Sequence, residues 1–167
     1  QEKKSEGFEF TVVKENPITS VKDQHRAGTC WCYSSLGFIE SELIRMGKGE
    51  FDLSEMFIVH NTYLDRADRA VRTHGDVSFS QGGSFYDVMY GMKTFGLVPE
   101  AEMRPGVMYG DTLSNHGELT AVSGAVVDAI AEGKSKSLQT DVNGMPLWKK
   151  AIEAIHDIYL GKRPEKF

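Results

Sequence analysis

Five positions, Cys32, Leu36, Ile39, Leu43 and Met46, recur at spacings of 4, 3, 4 and 3. That period belongs to one face of an α-helix. Helical side chains three and four apart share a face, whereas strand residues change face at every step. The stripe predicts a half-buried helix that opens at Gly28 or Thr29 and ends at Gly47, where a glycine suits the C-terminal cap. The pattern then returns along the chain. Leu53 and Ile58 flank Ser54 as a hydrophobic staple flanks an N-cap, which predicts a helix from Ser54 to about Val71. Phe85, Val88, Met89, Met92 and Phe95 share a face that starts near Ser84 and stops before Gly96. Two further amphipathic helices are expected at about 115–131 and 146–160, with ends marked by Gly133 and Gly161 and the polar stretch GKSKSLQTDVNG between them.

One stretch, FEFTVV at residues 8–13, reads as an extended or strand segment. NPITSVKDQ follows as a loop in which Pro17 restricts Asn16 to extended conformations. RTHGDVSFSQGG reads as a loop and LVPEAEMRPGVMYG as a surface loop. The whole is mostly helical, with the 167 residues expected to form one domain. Hydrophobic residues at 40% and charged residues at 26% can bury a core, which excludes a disordered chain. A net charge of -5 without a basic stripe argues against nucleic acid as a partner. No apolar run approaches the roughly 20 residues of a membrane span. The start at Gln1 and the polar QEKKSEG lead to the expectation of a processed, periplasmic or secreted protein, with a cytoplasmic one as the alternative.

Both cysteines of the chain lie in AGTCWCYSS, residues 27–35. Helix positions two apart diverge by about 200°, so a disulfide between Cys30 and Cys32 would need non-helical backbone. Cys32 belongs to the apolar stripe. Cys30 falls in the first turn, where unpaired N–H groups and the positive end of the helix dipole favour thiolate. Gln24 lies six residues earlier, in the loop leading in. Its side-chain amide and the Cys30 backbone N–H are candidate donors to an oxyanion formed at a carbonyl that Cys30 attacks. A helical cysteine is ordinarily a small hydrophobe, and Cys30 with Gln24 alone would leave that reading standing. The C-x-C spacing lacks C-x-x-C redox geometry and no second Cys/His pair sits at zinc spacing, so no metal and no cofactor is expected.

DQHRAGTCWCYSS, residues 23–35, resembles the active-site segment of papain-like cysteine peptidases. Gly28, Cys30 and Trp31 fit the signature C-G-[SA]-C-[WY], while Ala27 replaces its first cysteine and Thr29 its small residue. Loss of that first cysteine removes a disulfide typical of the secreted papain branch and resembles the bleomycin hydrolase/aminopeptidase C branch. Leu53-Ser54-Glu55, Gln81-Gly82-Gly83 and GLVPE at 96–100 follow in the family's order. The resemblance implies an α+β papain-like fold, of which this chain is mainly the helical lobe with the nucleophile helix, the β-rich lobe being largely missing. Residues 1–15 would be a polar segment and extended strand, 16–105 the helical lobe, and 106–167 a helical insertion of the bleomycin hydrolase branch. It further implies Cys30 as nucleophile, Gln24 as oxyanion donor and Trp31 beside the bound substrate. Gly83 would hydrogen-bond an extended peptide through its backbone, with Gly82 allowing close approach. The implied activity is peptide hydrolysis, aminopeptidase-like.

Such chemistry needs a histidine to take the thiol proton and an Asn or Asp to orient it. The five histidines do not supply one. His25 is too local to Cys30, His60 reads as a helix face and His74 as a loop. His116, in SNHGEL, opens a helix and is expected to be a surface or helix-start residue. His156 lies inside a helical run with no asparagine after it. The expectation is that His and Asn come from a downstream segment or a second chain, with the branch's homo-oligomeric assembly left open. The alternative is a non-catalytic binding module or pseudoenzyme.

Overall fold

The computed structural model describes residues 7, 8, 10–133 and 139–165. Residues 1–6 of the polar N-terminal stretch, Glu9 of FEFTVV, 134–138 of the polar linker and the last two residues lie outside it. Among the described residues five α-helices follow one another: α1 (Cys30–Arg45), α2 (Glu55–Arg72), α3 (Phe85–Phe95), α4 (Gly117–Ala131) and α5 (Leu147–Leu160). Short 3-10 turns at Glu100–Glu102 and Val107–Tyr109 lie between α3 and α4. Among the described residues there is no strand, only isolated bridges joining Arg26 to Asn115, Leu53 to Pro99 and Thr140 to Pro146.

The strand expected at 8–13 is not formed. Phe8, Phe10, Val12 and Val13 are 73–96% exposed. A β-former becomes a strand only when a neighbouring chain segment takes up its backbone groups, and no described segment does so.

Helix α2 is the centre of the fold and packs against α1, α3, α4 and α5. Met56, Ile58, Val59, Tyr63, Ala67 and Ala70 are almost wholly buried around its circumference. Each large apolar side chain so buried contributes about 1.5–3 kcal/mol. Its start is fixed by Ser54, whose hydroxyl accepts from the Phe57 N–H at 3.1 Å and donates to the Met103 carbonyl at 2.7 Å. In α1, Cys32 and Leu36 are fully buried, but Met46 caps the helix and is 53% exposed, so the stripe ends a turn early. Gly47 takes a φ of 68°, and its N–H reaches the Ile44 carbonyl while the Lys48 N–H reaches Leu43.

Two expectations about burial are corrected. In α3 the buried positions are Val88 and Gly91, while Phe85 and Phe95 are exposed at 48% and 40%. The reason is close approach to α2: a Cβ on Gly91 would stand 3.3 Å from Ile58 Cδ1. Residues 97–110 are not simply surface. Val98 and Met103 are buried, and the Ser54 N–H donates to Val98 O at 3.0 Å.

Residues before and after position 105 share one core. Leu119 of α4 and Leu160 of α5 sit in the cluster that contains Trp31, Leu36 and Ile58. A second cluster joins Ala67 and Ala70 of α2 to Val127 and Ile152. The segment before α4 also reaches the loop before α1: the Arg26 N–H donates to Ser114 O and the His116 N–H to Arg26 O, both at 3.0 Å.

Candidate active site

Cys30 is exposed and is the first residue of α1. The helix start is left bare, because the Thr29 side chain makes no capping hydrogen bond and no acidic residue occupies the first turn. Cys30 therefore sits at the first, uncapped turn of the helix, beside its positive dipole end. Cys32, two residues on and about 200° round the helix, is fully buried, and its sulfur donates to the Glu55 carbonyl at 3.6 Å. Burial, with Glu55 nearby, pushes that thiol well above its ordinary range. The two cysteines therefore differ in access and in chemistry.

Gln24 folds back over the loop, and its Nε2 donates to Ala27 O at 2.7 Å. That bond uses one of the two amide hydrogens and leaves the other for a ligand. The loop itself is pinned from outside. His25 has a φ of 47°, its N–H donates to Asp23 Oδ1 at 2.7 Å, and its Nδ1 lies 3.2 Å from Ser114 O.

Of the glycine pair, only Gly83 packs against the start of α1, and only there does packing require glycine. A Cβ on Gly83 would fall 2.6 Å from Trp31 Cδ2 and 2.5 Å from Arg66 Nη2, so packing demands glycine there. A Cβ on Gly82 would meet nothing within 4 Å. Trp31, expected beside the substrate, is only 5% exposed and lies beneath this segment, with the Arg66 guanidinium 5.1 Å from its ring centre. It packs directly against Gly83. Cys30, Trp31, Phe38, Gly83, Ser84 and Phe85 line an open groove of about 480 Å³. Phe38 and Phe85 meet edge to face there and leave apolar surface exposed beside the thiol.

Behind the site, one lysine gathers the carboxylates. Lys22 Nζ lies 2.7 Å from Asp52, 3.0 Å from Glu55 and 3.6 Å from Glu40. Glu40 accepts from the Leu53 N–H at 2.8 Å and the Thr19 hydroxyl at 2.6 Å. Burial opposes the Lys22 charge, but its bonds to Asp52 and Glu55 outweigh that and hold it charged. With more carboxyls than cations, burial raises Glu55 and Glu100 above the ordinary carboxylate range. This network fixes the approach of residues 19–22 to α1 and α2. Glu40 gives no sign of it in a hydropathy pattern.

The histidines form a second buried group. His60 of α2, His116 at the start of α4 and His156 of α5 are 0–1% exposed. His116 is the helix-start residue anticipated, as the N-cap of α4, but it does not lie at the surface, because Tyr63 and the α4 start enclose it: Tyr63 Oη lies 3.4 Å from its Nδ1. His156 stacks on Phe79 at 6.4 Å and meets His60 edge-on at 5.6 Å. Burial lowers His60 and His156 to about 3 and His116 to about 4. His74 is exposed in a turn. Among the described residues, Cys30 forms no hydrogen bond to any histidine, and no group of His, Cys, Asp and Glu is arranged for a metal. No described helix is long and apolar enough to cross a membrane.

Comparison with known proteins places this arrangement. The sequence profile described as papain family cysteine protease matches residues 6–154. The viral cathepsin of Spodoptera exigua nuclear polyhedrosis virus (strain US) is 44% identical over 50 residues, 30% of this chain and 15% of the viral protein. That of Choristoneura fumiferana nuclear polyhedrosis virus is 33% identical over 58 residues, 35% of this chain and 18% of its own length. The aligned stretches thus span less than a fifth of these curated relatives. A crystal structure of PepW from Lactobacillus rhamnosis HN001 (DR20) matches 94% of this chain and 40% of its own, with TM-score 0.67 and 19% identity. At that identity the likeness is one of fold.

Proposed function

The chain belongs to the papain family of cysteine proteases, and from that premise we propose that it contributes the nucleophile and half the substrate cleft of a cysteine peptidase. The observation that carries the reading is Cys30, an exposed thiol at an uncapped helix start, opening on a groove that Gly83 also lines. The Cys30 thiolate attacks a peptide carbonyl. The Cys30 N–H and the free Gln24 amide hydrogen hold the oxyanion, the amine leaves with a proton from a histidine, and water releases the acyl group. The extended substrate lies along Gly82 and Gly83.

That histidine and its orienting Asn come from a downstream segment or a second chain. Three of the five histidines are enclosed in the helical core, and His25 Nδ1 lies against Ser114 O. The finer expectations stand as part of this proposal: the bleomycin hydrolase branch, residues 106–167 as its insertion, aminopeptidase-like action and an exported protein. Support for the branch is the absence of a cysteine at Ala27 and the free state of both cysteines.

The test is to treat the complete protein with an epoxysuccinyl peptide and map the adduct by mass spectrometry. Fold-dependent labelling at Cys30, lost in Cys30→Ala, is expected. Hydrolysis of an aminoacyl amide in preference to an N-blocked peptide would place the action at the amino end. No labelling and no hydrolysis by the complete protein would leave the non-catalytic module standing in its place.

A further inference from the structure

Gln81 touches both sides of Cys30. Its side-chain Oε1 accepts from the Gly28 N–H at 2.6 Å, two residues before the thiol. Its backbone carbonyl accepts from the Trp31 indole N–H at 2.9 Å, one residue after it. Its Nε2 lies 3.5 Å from His116 O, in the segment that itself pairs with Arg26. The contact with Gly28 is close as well as polar: a Cβ on Gly28 would stand 2.9 Å from Gln81 Cβ. Gly28 is therefore glycine because Gln81 packs on it. Both cysteines are free, so no covalent bond holds this loop, and hydrogen bonds must.

We propose that Gln81 is a positioning residue for the nucleophile, clamping Gly28 and Trp31 so that the Cys30 thiol and N–H keep a fixed place relative to Gly82 and Gly83. The clamp spans 53 residues of sequence. It also joins the two parts of the site to each other, since the residue after Gln81 begins the glycine pair. Within the protein, the Gln81 side chain is the acceptor of the exposed Gly28 N–H, and without it that N–H is left to water. Without it, the residues leading into α1 lose their restraint, and the direction of the Cys30 N–H becomes variable. Positioning to within a fraction of an ångström is what a donor aimed at a developing oxyanion requires.

The consequence for turnover rests on the peptidase reading: loss of the clamp lowers kcat and leaves KM nearly unchanged. The clamp itself is read without turnover. Gln81→Met keeps the length of the side chain and removes the acceptor, whereas Gln81→Glu keeps an acceptor for Gly28. Amide exchange at Gly28, followed by NMR, is expected to be about tenfold faster in the Met variant, the factor carried by one lost hydrogen bond. Protection returns in the Glu variant. Unchanged Gly28 exchange in the Met variant would overturn the assignment. So would global unfolding of that variant, or failure of Glu to restore protection. A complete protein that cleaves no peptide, yet shows the Gly28 difference, upholds the clamp and removes the peptidase reading.

Discussion

Replacing His156 by Phe should change how stability depends on pH, by an amount that follows from burial. The ring is fully buried, stacks on Phe79, and has neither nitrogen hydrogen-bonded. Burial first, then His60, Arg163 and His116, lower it to about 3, from an ordinary 6.5. The folded state thus resists a proton that the unfolded chain accepts. Above 6.5 both states are neutral and there is no penalty. As pH falls through 6.5 the unfolded state gains protons first, and stability drops until both states are charged, below about 3. Between pH 7.5 and pH 5 the loss is about 2 kcal/mol for this one group.

Net stability alone would not reveal it. His60 and His116 act in the same sense, although Asp157, 3.0 Å from His60 Nε2, favours a charge on that ring and burial outweighs it. Glu55 and Glu100 act in the opposite sense, because burial raises them and the folded state then gains protons first as pH falls. The readout is therefore a double difference: urea unfolding followed by circular dichroism, for wild type and His156→Phe, at pH 7.5 and pH 5. The carboxyls cancel between the two proteins. Wild type should lose about 2 kcal/mol more than the variant over that interval. Equal losses in the two proteins would refute the argument that His156 is held neutral by burial.

Other outcomes can be read from the same structure. Iodoacetamide on the native chain should modify Cys30 and spare Cys32, and denaturation should expose both, as peptide mapping would show. Gly83→Ala should destabilise by about 1–3 kcal/mol in thermal or urea unfolding, the usual cost of forcing atoms into packed space, because its Cβ would overlap the Trp31 ring and Arg66. Gly82→Ala, whose Cβ meets open space, should unfold like wild type. Ser54→Ala should cost about 1–2 kcal/mol by the same assay, since it removes the cap on the Phe57 N–H and the bond to Met103 O.

What could be read along the chain was local. The starts of α2 and α3 follow from Ser54 and Ser84, each bonded within three residues: Ser54 to the Phe57 N–H, and Ser84 to the Asp87 carboxylate. The division between Cys30 and Cys32 followed from a 3.6-residue period alone, since the stripe places one thiol inside and leaves the other at the helix start. Period assigns a face, but it cannot say which neighbour covers that face. Phe85 lies on the apolar face of α3 and remains exposed, because Gly91 is where α2 approaches. Glu40 looks like a solvent residue and is 1% exposed, because Thr19 and the Leu53 N–H bond its carboxylate and Lys22 lies nearby. FEFTVV has the composition of a strand, yet a strand is a property of two segments, and the described residues hold only one. The same limit applies at the site. Gln24 is legible because it lies in the loop of Cys30, whereas Gln81 acts across 53 residues and His25 meets Ser114 across 89. Motifs mark the groups that face a substrate. The groups that hold them in place come from wherever the fold brings the chain back, so a loop without a disulfide can be held by a glutamine that no local pattern singles out.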